Sequence, residues 1–181
     1  MDFEFNERRA TQAAAFLLKK SGGRQNYTWL LKVLYLADRQ ALAEVGSPIA
    51  GAKFCNMTNG PLASDVYNCI KREQWPACEY WQRHISKDRY DVTLEGEPGD
   101  GELSDYDVEL LEALYEEHKG RSYSRMVDVV HKLKEWHDPG EGRSERLLPE
   151  DIMRAAGAEE EEIAEVSTRS DYFAQVARHL G

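Results

Sequence analysis

Long apolar runs are missing from this 181-residue chain. No stretch approaches the roughly 20 apolar residues that a helix needs to cross a bilayer, so no membrane span is expected. The opening Met1-Asp2-Phe3-Glu4-Phe5 is acidic and has no basic region ahead of an apolar core, so no signal peptide is expected either. Cysteine is scarce: Cys55, Cys69 and Cys78 are odd in number and lack C-x-x-C spacing. That pattern predicts reduced thiols and a cytoplasmic protein. Motifs that carry chemistry are absent too. His131 and His137 fall outside H-E-x-x-H spacing, and the cysteines form no paired zinc loop. Ser64 lies in Ala63-Ser64-Asp65 rather than in a G-x-S-x-G elbow. Ser21-Gly22-Gly23-Arg24 lacks a following Lys-Ser/Thr and is no phosphate loop. The expectation is a non-enzyme with no catalytic residue, no metal and no cofactor.

Positive charge is also in short supply, 23 Lys/Arg against 33 Asp/Glu, for a net −10. Residues 1–75 hold 10 Lys/Arg and 7 Asp/Glu, a balance of +3, whereas the remainder holds 13 against 26, a balance of −13. A duplex DNA binder needs a basic face to displace phosphate counterions, and most of this surface would repel one. Acidity of this kind serves solubility or a basic protein partner.

What the chain does have is helical periodicity, which predicts a mainly α fold: a compact helical domain around a buried central helix, with a small β-hairpin and a C-terminal helical appendage. Asn6 and Glu7 suit the start of a first helix, carrying Ala10, Ala13, Ala14, Leu17 and Leu18 to Lys20. Asn26 or Thr28 opens a second, which Gly46-Ser47-Pro48 ends. That second helix is apolar on nearly every side and therefore belongs at the centre of the domain. Pro61 is expected at the first position of a third helix running to about Arg72. Residues 80–86 and 89–94 read as a hairpin around Lys87-Asp88. Ser104 and Asp107 form a capping box for a helix over residues 105–118, and Ser122 or Ser124 starts the next. Residues 140–148 read as a polar loop, followed by a short helix from Pro149 to Gly157. The final helix, residues 159–180, places Ile163, Val166, Phe173, Ala177 and Leu180 near heptad spacing, with Ser170 as the polar member. The predicted division is a domain over 1–140 and an acidic helical extension over 141–181.

On the central helix, Tyr35 and Asp38 are three apart. They are expected to be buried together against the Gly60-Pro61 turn, capping the helix that follows it, because a buried Asp must be hydrogen-bonded. Trp136, after an amphipathic helix, reads as a core plug.

Three segments together resemble a known family: Leu31-Lys32-Val33-Leu34-Tyr35-Leu36-Ala37-Asp38, Gly46-Ser47-Pro48-Ile49-Ala50-Gly51, and Asn59-Gly60-Pro61 with Val66-Tyr67. They look like the Panacea domain of SocA-like antitoxins, often labelled phage-associated, and residues 131–139 are similar to that family's late helix end. The resemblance covers roughly residues 8–140. It implies an antitoxin of a toxin–antitoxin system that neutralises a co-encoded toxin by direct protein–protein binding, with no catalytic residues to carry over. Tyr35, Asp38, Gly51, Gly60, Pro61, Tyr67 and Trp136 match the motif and are read as scaffold. For the partner contact we expect the crossing and turn formed by Lys53, Phe54, Asn59, Gly60 and Pro61. Two alternatives stand beside this reading: a proteolytic adaptor delivering a toxin to a protease or unfoldase, and a DNA-binding regulator using the hairpin and Lys71-Arg72.

Overall fold

The computed structural model describes residues 1–71 and 78–180. Helix α1 (Glu7–Lys20) starts where the Asn6 side chain accepts from the Arg9 N–H, with Glu7 in its first turn and Lys19 and Lys20 in its last. A short strand β1 (Arg24–Asn26) leads into α2 (Tyr27–Val45), capped by the Asn26 side chain and stopped at Gly46 with φ +68°. Strands β2 (Phe54–Met57) and β3 (Leu62–Ala63) follow, then α3 (Ser64–Lys71). Next come α4 (Glu79–His84), the hairpin β4 (Ile85–Asp88) and β5 (Asp91–Leu94), and α5 (Asp105–His118), which opens on the expected Ser104/Asp107 capping box. The chain closes with α6 (Tyr123–Val130), β6 (Ser144–Leu147), α7 (Pro149–Ala156) and α8 (Glu160–Leu180). No described helix is long and apolar enough to cross a membrane.

The fold is mainly α, and α2 runs through its centre. Trp29, Leu30, Leu31, Val33, Leu34, Tyr35, Ala37, Ala41 and Leu42 are all buried. Around them pack α1, α5, α6, α7 and β3. A helix apolar on every side can only be satisfied this way. Among the described residues, two three-stranded antiparallel sheets flank the helices, in the orders β1-β5-β4 and β3-β2-β6.

Several local expectations are corrected. Pro61 does not open a helix. It precedes β3, whose pairing with β2 (Phe54 with Ala63, Cys55 with Leu62) delays the helix to Ser64; its expected end at Arg72 lies outside the described residues. The hairpin turns at Arg89-Tyr90 rather than at Lys87-Asp88, with Asp88 opposite Asp91, and Arg89 takes up the positive φ of +52°. Most of the expected first strand is helical, in α4, because Trp81 packs into the core. The polar loop over 140–148 contains β6, which pairs with β2 from Phe54–Leu147 to Met57–Ser144. Cys69 and Cys78 are not reduced thiols. They form a disulfide, since the end of α3 and the approach to α4 bring their Cα atoms to 5.2 Å. On α8, Ile163, Val166 and Ser170 are buried as the stripe requires, but Phe173 is exposed. The side chains of Ala177 and Leu180 lie outside those described.

Candidate functional site

Four polar residues of α2 tie the domain's irregular segments to its centre. Lys32 is almost wholly buried, and its ammonium donates to the carbonyls of Gly60 and Pro61, each at 2.9 Å. Gly60 closes that turn at φ +97°; a Cβ there would lie 2.4 Å from Val130 Cγ2. Burial pushes the Lys32 ammonium down to about 7, and the Cys55 thiol nearby draws it back up.

Asp38 is fully buried and accepts the N–H groups of Ile49 (2.8 Å), Ala50 (2.7 Å) and Gly51 (3.0 Å). Burial pushes its carboxyl up to about 7 against the opposing pull of those three donors. Gly51 has no room for a side chain, since an added Cβ would sit 2.5 Å from that of Ala63. Tyr35 donates its hydroxyl to Glu135 Oε1 at 3.0 Å, and the same oxygen accepts from Arg39 Nε at 2.7 Å. Burial and the neighbouring Glu135 both drive the Tyr35 hydroxyl pKa upward, so it stays a donor.

This corrects the expected Tyr35–Asp38 pairing against Gly60-Pro61. The two side chains reach different segments, and Lys32 holds the turn. The carboxylate at the start of α3 is Asp65, which accepts from the N–H groups of Ala52 (3.1 Å) and Lys53 (2.8 Å). Trp136, half-buried and stacked on His131 at 3.7 Å, donates its indole N–H to the Met57 carbonyl at 3.1 Å. Asn56, fully buried, donates to the Glu135 carbonyl at 3.1 Å.

Above the clamped turn lies a cleft of about 390 Å³ whose walls include Tyr27, Thr28, Lys32, Asn59, Tyr67 and Arg143. The Lys71 ammonium stands 5.3 Å from the ring centroids of both Tyr27 and Tyr67, close enough for cation–π attraction. Of the residues expected to meet a partner, Lys53 and Asn59 face solvent. Phe54, Gly60 and Pro61 are buried, Phe54 edge-on against Tyr35. Of the basic residues in the hairpin region, Arg83 is exposed and faces Glu79 at 3.5 Å, Lys87 lies over Tyr27, and Arg89 is exposed. Arg72 lies outside the described residues.

Sequence reasoning missed Lys32, Asp65, Glu135, Asn56 and Arg39 as parts of this framework. For Lys32 a signal existed. A cation flanked by apolar residues in a helix that is apolar on nearly every side must find acceptors, as Asp38 must find donors.

The segments that carry the resemblance are thus the ones that α2 holds together. Lys32 binds the 59–61 turn, Asp38 binds the 49–51 segment, and Tyr35 with Arg39 binds the 131–139 stretch through Glu135. A family model described as antitoxin SocA-like, Panacea domain, matches residues 30–137, well over half of the chain. No curated protein and no solved structure matches. The matched span runs from the central helix to the end of the stretch that its tyrosine and arginine hold, and the chain belongs to the SocA-like, Panacea-domain antitoxin family.

Proposed function

We propose that this chain is the antitoxin of a toxin–antitoxin pair and silences its toxin by direct contact, doing no chemistry of its own. Family membership supports an antitoxin-like role and a protein partner. The observation that supports the contact mechanism is the hydrogen bonding of the framework. Lys32, Asp38 and Glu135 hold three connecting segments with hydrogen bonds between 2.7 and 3.0 Å. A surface fixed in this way loses little conformational entropy on binding. Lys53 and Asn59 are exposed, Asn59 in the wall of the cleft, and on this reading they are the positions from which this part of the module reaches a partner. On this reading the complex works in the cytoplasm, where the Cys69–Cys78 bridge is open to reduction.

Expression of the adjacent open reading frame alone, and together with this chain, tests the proposal. Growth arrest by the first, relief by the second and co-elution of the two purified proteins are expected. An adjacent product that is harmless, or that stays toxic with this chain present, removes the reading.

A further inference from the structure

Away from the clamped turn, the α8 helix leaves apolar surface uncovered. A groove of about 590 Å³ runs between residues 2–4, residues 45–47 at the end of α2, and α8, with Phe3, Val45, Phe173 and Val176 in its walls. A shallower hollow on the adjoining face of α8 shares Arg169 and Phe173 and adds Ala164 and Tyr172. Tyr172 and Phe173 are each 62% exposed, with their rings edge to face at 5.7 Å, and Val45 is 46% exposed. Two large aromatics standing together in water are the composition of an interface anchor, not of a solvated helix face. From Ala164 to Val176 the surface extends about 18 Å along the helix axis, the length of a partner helix of some three turns.

The charge around it selects the occupant. Glu4 lines the groove and Glu165 the hollow, whereas the cation common to both is Arg169. Its guanidinium is engaged by the carbonyls of Val45 (3.1 Å) and Gly46 (3.4 Å). A second copy of this chain would bring the same carboxylates against these, which like-charge repulsion disfavours. A basic amphipathic segment would match both the apolar floor and the acidic rim. Most of this surface also lies outside residues 30–137, the span shared with the family, which suits a contact particular to one partner.

We infer that the groove between the N-terminal segment and α8 is a second docking surface, taking a basic amphipathic helix of the toxin with Phe173 as its anchor. The identity of the occupant as the toxin rests on the antitoxin reading above. The test is titration calorimetry of the full chain against the purified product of the adjacent open reading frame, comparing wild type with Phe173→Asp and Glu165→Lys. Both positions are exposed, so unchanged circular dichroism is expected. Phe173→Asp should weaken binding at least tenfold. Glu165→Lys should weaken it several-fold at low salt, with the difference shrinking as salt is raised. Wild-type affinity in both variants overturns the docking surface and leaves the antitoxin reading standing. No binding by the wild type removes both. A wild-type dimer that Phe173→Asp converts to monomer shows that a second copy fills the groove and overturns the proposal.

Discussion

Replacing Lys32 with Met separates what this buried lysine contributes as a hydrogen-bond donor from what it costs as a cation. Burial lowers the ammonium from 10.5 to about 7, so the folded protein binds one proton fewer than the unfolded chain between those two values. Stability therefore rises with pH across that window. Below about pH 7 the lysine is charged in both states and the full penalty applies, which for this displacement is about 5 kcal/mol. Between pH 6 and pH 9.5 about 3 kcal/mol of it should be recovered. Even when neutral, the amine donates to the Gly60 and Pro61 carbonyls. Methionine abandons both, at about 1–3 kcal/mol for each buried acceptor left unmet. The variant should thus be close to wild type in stability near pH 6 and several kcal/mol weaker near pH 9.5. Urea unfolding followed by tryptophan fluorescence at a series of pH values measures this. Parallel pH profiles for the two proteins would refute the argument, because they would mean that Lys32 is solvated or ion-paired in solution.

Three further outcomes are expected. Asp38→Ala frees three buried N–H groups and should cost about 3 kcal/mol or more, read as a lower denaturation midpoint. Gly60→Ala forces a side chain into φ +97° and to within 2.4 Å of Val130; a loss of about 2–4 kcal/mol by the same assay is expected. Cys69→Ser opens a cross-link spanning nine residues, which should remove about 2–3 kcal/mol. Reductant should then weaken wild type by the same amount and leave the variant unmoved.

The capped helices were legible because their signals are local. Asn6, Asn26 and the Ser104/Asp107 box each act within three residues of themselves, and the burial of α2 followed from its lack of a polar face. What failed depended on distant partners. The strand at Ser144–Leu147 has one buried side chain out of four, so no alternation marks it; pairing with β2 makes it a strand. Pro61 offers a good helix start, yet the antiparallel pairing of Leu62 and Ala63 with β2 prevails over that preference. The framework was half-visible: Asp38 announced a need for donors but not where they lie. Its neighbour Tyr35 meets Glu135 one hundred residues away, a distance over which sequence pattern says nothing. The Cys69–Cys78 bridge is short-range, but it depends on how α3 ends relative to α4.

β6 seals the outer edge of β2 and α7 packs against α2, so residues beyond the shared family span complete its sheet and cover its central helix. A truncation at residue 140 would strip α2 of one of its neighbours and bare a strand edge, inviting aggregation. The natural seam is Gly157, whose φ of +102° ends α7. Chimaeras that exchange α8 between relatives should be joined there, so that each hybrid inherits a closed sheet, and should keep Ile163 and Val166, which α8 adds to the core.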